Sequence, residues 1–250
     1  MMIFTIAGRE LRSLFLSPLA WTMLAVVLGI LAYFFLVYLD YYVQIQPKLM
    51  NMAGAPGLTD MVVAPLYGTA ATVLLLIVPM LTMRLISEER RNQSLSLLLS
   101  APISMTEIII GKYLGALGFL CVLLLLLTLM PLSLLLGGNL DLGMMLASLL
   151  GLLLLLSSFT ALGLFMSTLT NQPTIAAVSS FGILILLWVL DLASSGGEKS
   201  VLFGYLSLMR HYQAMMQGVF STADLAYYLL FSALFLILSI RRLDAQRLQG

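Results

Sequence analysis

The chain has 250 residues, of which 61% are apolar and 9% charged, and its formal net charge is +1. Soluble domains are about 45–50% apolar and about 25% charged, so this composition excludes a soluble domain, and the scarcity of charge excludes a disordered chain. So small a net charge gives no electrostatic basis for binding nucleic acid. The single cysteine, Cys121, excludes a disulfide framework and a cysteine metal cluster. The composition therefore predicts an integral membrane protein.

Apolar segments long enough to cross a bilayer recur along the chain. A helical span needs about 20 mostly apolar residues, and the leucine runs lack the alternation that is typical of barrel strands. The sequence therefore predicts an all-α integral membrane protein with six transmembrane helices. Their approximate bounds are Leu19–Leu39, Ala64–Thr82, Tyr113–Leu136, Gly143–Leu169, Thr174–Leu190 and Leu225–Ile240. Small residues in these spans are expected to allow close helix contact, within the chain or between protomers: Gly29, Gly68, Ala70, Ala71, Gly163, Ala176, Ala177 and Gly182.

The basic residues predict the orientation of the spans. Nine of the 12 Lys and Arg residues fall in the N-terminal segment, the 84–112 loop and the C-terminal segment, which the six spans place on one side. By the positive-inside rule, that side and both termini are cytoplasmic. The first apolar run is longer than a signal-peptide core of about 7–15 residues, so it is expected to be a retained span. Aromatic residues near the outer ends are expected to form an interfacial belt: Tyr33, Tyr38, Tyr41, Tyr42, Trp188, Tyr227 and Tyr228.

Residues 1–18 have the pattern of an amphipathic helix that lies in the membrane plane. Arg9 and Arg12 face away from the apolar stripe and toward the headgroups, and Pro18 allows a sharp turn into the first span. The alternative is a frayed extension of that span. The stripe consists of Ile3, Phe4, Ala7, Leu11, Leu14 and Phe15.

The 84–112 segment carries two separate helix signals outside the bilayer. The second span is expected to continue through the charged residues 88–91, and a short apolar helix over 94–100 is expected to end before Pro102. A new helix then begins with a capping box formed by Ser104 and Glu107. Apolar residues bounded by charge indicate a protein contact, whereas a passive linker on the membrane surface is the alternative. These apolar residues are Leu95, Leu97, Leu98 and Leu99.

The outer segment 196–224 is apolar but interrupted. Its apolar residues are too numerous for a solvated loop and too broken for a span, so a re-entrant helix pair is predicted, with a turn near Arg210 and His211. His211 is expected to be an interfacial hydrogen-bonding residue, with a proton switch or a metal ligand as the alternatives. Asp191 is expected to be a headgroup-level carboxylate, with a gate or substrate contact as the alternative.

Four parts of the chain resemble the bacterial type-2 ABC transporter permeases. The 87–104 segment is similar to the family's pattern of paired glutamates, leucines and a Ser-x-Pro that docks on the ATPase, and Arg9–Pro18 resembles the family's interfacial elbow. Gly163–Gln172 matches the end of the family's fourth span, and residues 205–225 resemble the gliding-motility, GldF-like branch. One departure is Asn92-Gln93, where family members often carry a basic residue or glycine.

The resemblance implies a single permease domain over residues 1–250, with the elbow at 1–18, the coupling segment at 84–112 and an outer gate within 196–224. It implies a homodimer in the bacterial inner membrane and two copies of a separate ATP-binding subunit, and the GldF-like branch suggests a GldG-like auxiliary membrane protein as a further partner. No cofactor is expected in this chain, because it lacks the phosphate-binding Gly-x-x-x-x-Gly-Lys-Ser/Thr motif; ATP and Mg²⁺ are expected on the partner. The implied ATPase-docking residues are Glu88, Glu89, Ser94, Leu95, Leu97, Leu98, Ser100 and Pro102, and the gate candidates are Asp191, Arg210 and His211.

Two other classes fit poorly. An intramembrane enzyme would need a nucleophile with a base or paired carboxylates, and an ion-coupled carrier would need titratable residues near the midplane; the span cores hold only scattered Ser and Thr. The prediction is a transport subunit without catalytic or metal-binding residues, which moves a substrate outward. The alternative is that ATP-driven motion is transmitted to an auxiliary partner without export.

Overall fold

The computed structural model describes residues 2–49, 56–93, 104–136, 140–194 and 207–247, excluding the side chains of 49, 190–194 and 247. Every secondary-structure element in these ranges is helical, as the sequence predicts. A π-helical turn, Thr59–Val63, leads into the helix Ala64–Thr82, and a 3₁₀ turn, Leu134–Leu136, follows the helix Met105–Ser133. The α-helices are α1 Met2–Leu16, α2 Pro18–Leu49, α3 Ala64–Thr82, α4 Arg84–Arg91, α5 Met105–Ser133, α6 Leu142–Leu169, α7 Pro173–Ser194, α8 Leu208–Met216 and α9 Thr222–Arg247.

Five helical stretches of the described part are long and apolar enough to cross a membrane. They correspond to the first four predicted spans and the sixth: Pro18–Lys48, Thr59–Arg91, Met105–Leu136, Leu142–Leu169 and Thr222–Gln246. The predicted fifth span lies on α7, which contributes a shorter apolar stretch, Pro173–Val189. Most predicted bounds agree within a few residues, but α2 continues ten residues beyond the predicted Leu39, because the helix proceeds past the apolar run that defined the prediction.

Helix α6 is the centre of the bundle and packs against α3, α5, α7, α8 and α9. About two thirds of its most apolar window is buried, compared with 28% for α2 and 22% for α9. Small side chains line its buried surface, which lets neighbouring helices approach closely without a hydrophobic driving force. They include Gly151, Ser158, Ala161, Gly163 and Ser167.

The amphipathic N-terminal helix forms, and its apolar face is only partly covered by protein. A Cβ added at Gly111 of α5 would lie 2.7 Å from Cβ of Ile6, and one added at Gly115 would lie 3.0 Å from the carbonyl oxygen of Ala7. Phe4, which the sequence places in the apolar stripe, is 78% exposed. The face is rotated toward Ile6 because the glycines of α5 leave room for α1 to dock there. A frayed extension of the first span is wrong, since Ser17 separates α1 from α2.

Contacts between distant segments place the predicted cytoplasmic parts together at one end of the bundle. Glu10 of α1 and Glu89 of α4 both bind Lys112 of α5, and Arg90 of α4 donates a hydrogen bond to Gln246 of α9. The three segments that the positive-inside rule assigns to one side therefore share one end of the folded chain.

Candidate functional site

The junction between α3 and α4 is closed by a side chain of α6. Ser167 Oγ accepts hydrogen bonds from the backbone N–H groups of Ile86 and Ser87, both at 3.0 Å, and donates to the carbonyl of Met83 at 3.1 Å. A single buried hydroxyl thus satisfies three backbone groups at the point where the second span passes into the charged segment. This insertion fixes α4 to α6 at that point.

One turn before Ser167, Gly163 sets the distance between α6 and α3. A Cβ added at Gly163 would lie 2.1 Å from Oγ1 and 2.8 Å from Cβ of Thr82. The Thr82 hydroxyl is held by a 2.9 Å hydrogen bond to the carbonyl of Val78, so it cannot turn away without losing that bond. Only glycine at 163 permits this approach, which explains the spacing of Gly163 and Ser167 in the segment that resembles the family's fourth span.

Helix α4 has a buried face and an exposed face. Leu85, Ile86 and Ser87 are buried, whereas Glu88, the first predicted docking residue, is exposed. The second, Glu89, binds Nζ of Lys112 at 2.8 Å. Its carboxylate is therefore held by an ion pair within the chain, and its place at the rim of the ATPase contact stays a prediction.

The departure at Asn92-Gln93 lies directly after the last residue of α4. Gln93 has φ +58°, the only positive φ at a non-glycine residue among the described ranges. This left-handed conformation favours glycine and costs other residues about 1–2 kcal/mol, so glutamine is strained at this position and glycine would relieve the strain. The remaining predicted docking residues lie outside the described residues: Ser94, Leu95, Leu97, Leu98, Ser100 and Pro102.

Helix α5 begins with the predicted capping box, which is confirmed. The N–H of Glu107 donates to Ser104 Oγ, and the N–H of Ser104 donates to Glu107 Oε2, both at 3.2 Å. One turn later, Ile108 is buried. The box fixes the first residue of α5 and therefore the position of Lys112, two turns farther along.

Lys112 is the buried charge at this end of the bundle, and the sequence interpretation missed its role. Its side chain is 2% exposed and binds Oε2 of Glu10 at 3.0 Å in addition to Glu89. A lysine shortly after a glycine, in a helix that the sequence marks as entering the bilayer, was the available signal. Its two partners lie 102 and 23 positions away, so nothing local identifies them.

At the opposite end of the bundle, α8 is set into the surface of α6. A Cβ added at Gly151 would lie 2.9 Å from Cβ of Met215 and 3.1 Å from Cδ2 of Tyr212, and both residues are fully buried. The N–H of Arg210 donates to the N-cap hydroxyl of Ser207. The predicted turn at Arg210 and His211 is therefore wrong, because both residues lie inside a helix.

The turn falls instead at Gln217 and Gly218. Gly218 has φ +78°, its N–H donates to the carbonyl of Met215, and the N–H of Val219 donates to the carbonyl of Ala214. These two bonds form a Schellman motif, in which glycine supplies the left-handed residue. The prediction placed the turn at Arg210 and His211 because they are polar, whereas the backbone conformation that ends α8 requires the glycine.

Of the outer gate candidates, His211 is the one whose contacts are defined. Its Nδ1 lies 2.6 Å from Oδ1 of Asp224, and its ring stacks on Tyr227 with centroids 4.3 Å apart. Arg210 is exposed, and the side chain of Asp191 lies outside the described residues. His211 is thus a hydrogen-bonding residue, as predicted, and it joins α8 to α9.

Two predicted members of the aromatic belt take part in this joint instead. The hydroxyl of Tyr228 donates to the carbonyl of Leu208 at 2.6 Å, and Tyr228 is fully buried. Tyr227 stacks on His211. The belt prediction is wrong for Tyr228, which is buried against α8, whereas Tyr227 is only half-buried and its place in the belt stays a prediction.

Buried tyrosines mark the interior behind α8. Tyr67 of α3 and Tyr212 of α8 are fully buried, and neither hydroxyl has a hydrogen-bond partner among the described residues. Burial, reinforced by the nearby Tyr228 and Tyr67, raises the pKa of Tyr212 well above its usual value. Within the described ranges, no group of three or more His, Cys, Asp or Glu side chains could hold a metal ion.

A comparison with family models gives the family of the chain. The model of the ABC-2 family transporter proteins matches residues 4–247. No curated protein matches the chain. Since the match extends over nearly the whole chain and the described residues include several long apolar helices, the protein belongs to the ABC-2 transporter family and is the membrane permease subunit of an ABC transporter.

Proposed function

We propose that the chain is a six-span, exporter-type permease of the bacterial inner membrane, in the GldF-like branch, with both termini cytoplasmic. Two copies bind two copies of a separate ATP-binding subunit, and ATP hydrolysis there drives a substrate outward. The observation that carries this proposal is the junction at Ser167, which fixes the charged helix α4 to the most buried helix of the bundle.

Docking of the ATPase on the 84–112 segment is supported by the exposure of its ends. Glu88, Arg91 and Ser104 are exposed on either side of residues 94–103. At the same time, α4 is held to α6 by Ser167, to α5 by the Glu89–Lys112 pair and to α9 by Arg90. A push on this segment would therefore reach three helices of the bundle directly.

A homodimer is supported by the surfaces of α2 and α7. Both helices present exposed apolar side chains beside a glycine, Gly29 on α2 and Gly182 on α7. A Cβ added at either glycine would meet no atom within 4 Å. Exposed small residues permit close helix contact in a bilayer. A second copy of the chain is the partner that we propose for these faces, and the remaining apolar surface faces lipid.

The outer gate is proposed at the α8–α9 joint, with Asp191, Arg210 and His211 as its candidate residues. The α8 helix lies in a groove over Gly151 and is connected to α9 by the His211–Asp224 pair. A helix of nine residues cannot span the bilayer, which supports a re-entrant or interfacial position. A GldG-like membrane protein is a further proposed partner at this end.

The test is purification of the complex in mild detergent followed by native mass measurement. We expect two permease chains and two ATP-binding chains, with ATP hydrolysis confined to the complex. Leu98→Asp should release the ATP-binding subunit, because apolar anchors carry most interface energy. Leu136→Asp, at a site 95% exposed at the opposite end of the bundle, is the control and should leave the complex intact.

Two outcomes would overturn the proposal. A wild-type permease that purifies as a monomer with its own ATPase activity would contradict the subunit assignment. A Leu98→Asp complex that retains the ATP-binding subunit and full ATP turnover would contradict docking at this segment.

A further inference from the structure

The cluster of Lys112, Glu10 and Glu89 brings three separate elements to one buried nitrogen. Lys112 Nζ lies 3.0 Å from Oε2 of Glu10 on α1 and 2.8 Å from Oε1 of Glu89 on α4, while the lysine side chain is 2% exposed. The carboxylate side chains are 15% and 22% exposed. A buried ammonium is tolerated only with charged partners in good geometry, so α1 and α4 are both bound to the same point of α5.

The backbone around Lys112 strengthens one half of this connection. Gly111 and Gly115 flank the lysine on α5, and Cβ atoms added there would lie 3.1 Å from the carbonyl of Ile3 and 3.0 Å from that of Ala7. Helix α1 therefore rests directly on the backbone of α5. Helix α4 has no comparable glycine contact with α5 among the described residues, and its Glu89–Lys112 pair is its charged connection to that helix.

We propose that Lys112 is a positioning residue that makes α1 follow α4, so that ATP-driven movement of the coupling segment reaches the N-terminal helix. This rests on the proposed function, because it takes α4 as part of the ATPase-docking segment. Glu89 receives the movement, Lys112 transmits it, and Glu10 delivers it to α1. The cluster therefore connects the two cytoplasmic devices that the sequence shows as unrelated segments.

The arrangement of charges makes the three positions unequal. Because both carboxylate oxygens lie within 3.0 Å of one ammonium nitrogen, they are at most about 6 Å apart, where like charges repel. Replacing Lys112 leaves two carboxylates facing each other, so Lys112→Met should be the most disruptive single change. Glu89→Gln or Glu10→Gln leaves the lysine with its other partner and breaks only one side of the connection.

The experiment reads movement at α1 while ATP turns over at the partner. In a Cys121→Ser background, Ser13→Cys on the exposed side of α1 carries an environment-sensitive fluorophore in the assembled complex, and MgATP is added. Wild-type complex is expected to show an ATP-dependent signal. Glu89→Gln keeps an amide oxygen but removes the charge that binds α4 to Lys112, so it should lower that signal well below the wild-type value, while copurified ATP-binding subunit and ATP hydrolysis persist.

Controls separate transmission from folding. Asp244→Asn, which removes an exposed carboxylate on α9 at the same end of the bundle, should keep the full signal, and Glu89→Asp should restore part of it. Glu10→Gln breaks the connection at its other end and should lower the signal as Glu89→Gln does, which provides a second test if the Glu89 variant does not assemble.

The results distinguish this inference from the proposed function. Full signals in both Glu89→Gln and Glu10→Gln complexes, or an equal loss in Asp244→Asn, would overturn the role of the cluster while leaving the transporter assignment intact. A wild-type permease that binds no ATP-binding subunit would instead overturn the proposed function.

Discussion

Gly163→Ala tests whether the close approach of α6 and α3 holds α4 in place. The added methyl would lie 2.1 Å from Oγ1 and 2.8 Å from Cβ of Thr82, whereas relaxed carbon contacts are about 3.5–4.0 Å. The contact is with the stiff, β-branched part of threonine, which cannot rotate without losing its bond to Val78. The two helices must therefore separate by about 1 Å, and overpacking of this kind costs about 1–3 kcal/mol.

The separation should extend one turn along α6 to Ser167. Its hydrogen bonds to Ile86 and Ser87 are 3.0 Å long, and lengthening them by about 1 Å would exceed the range of a hydrogen bond. We expect Gly163→Ala to lower the unfolding temperature in detergent by about 5 °C and to reduce the copurified ATP-binding subunit. Thermal unfolding followed by size-exclusion chromatography measures the first effect, and subunit stoichiometry measures the second.

A matched glycine supplies the control for this experiment. A Cβ added at Gly8 meets nothing within 4 Å, and alanine has the higher helix propensity. Gly8→Ala should therefore leave the unfolding temperature unchanged or slightly higher. If Gly163→Ala unfolded at the wild-type temperature, the packing argument at this junction would be refuted.

Two further predictions concern the ends of the bundle. Ser167→Ala leaves two buried N–H groups of α4 without their acceptor, at a cost of about 1–3 kcal/mol each, so it should lower the unfolding temperature and the amount of bound ATP-binding subunit. Ser179→Ala is the control and should change neither, because the Ser179 hydroxyl bonds to carbonyls of its own helix. Equal effects of the two variants would contradict the capping role of Ser167. In a Cys121→Ser background, a cysteine replacing the fully buried Met215 should react with a membrane-impermeant thiol reagent at least about tenfold more slowly than one replacing the exposed Gln213; equal rates at the two positions would contradict the packing of α8 on α6.

The lengths of the apolar runs were sufficient to predict the helices but not to predict which residues surround them. Ala64–Thr82 was predicted with the bounds that α3 has, because a long apolar run between polar segments leaves little freedom to a helix in lipid. The capping box at Ser104 was equally readable, since its two partners are three residues apart. The turn at Gly218 was missed because the prediction relied on the polarity of Arg210 and His211. The position of the turn depends instead on the backbone conformation, which glycine adopts most readily.

Polar residues that are scattered in the sequence meet in the folded chain. Ser157 and Ser158 of α6 lie 3.4 and 3.3 Å from the hydroxyl of Ser232 on α9, and the hydroxyl of Tyr113 donates to the carbonyl of Ser157. Such interhelical bonds form where the helices are packed closely enough. The sequence shows only that these side chains are present in the spans, because their partners are 44 to 75 positions away.

The sequence by itself determined that this chain is a helical membrane protein, where most spans begin and end, and that its charged segments belong to one side. These properties follow from hydrophobicity and charge summed along the chain, which do not depend on which helix is beside which. The tertiary structure alone decided that Glu10 and Glu89 share Lys112, that Ser167 closes the α3–α4 junction, and that His211 binds Asp224. Each of these is a pairing between elements that are distant in the sequence, and no local pattern specifies it.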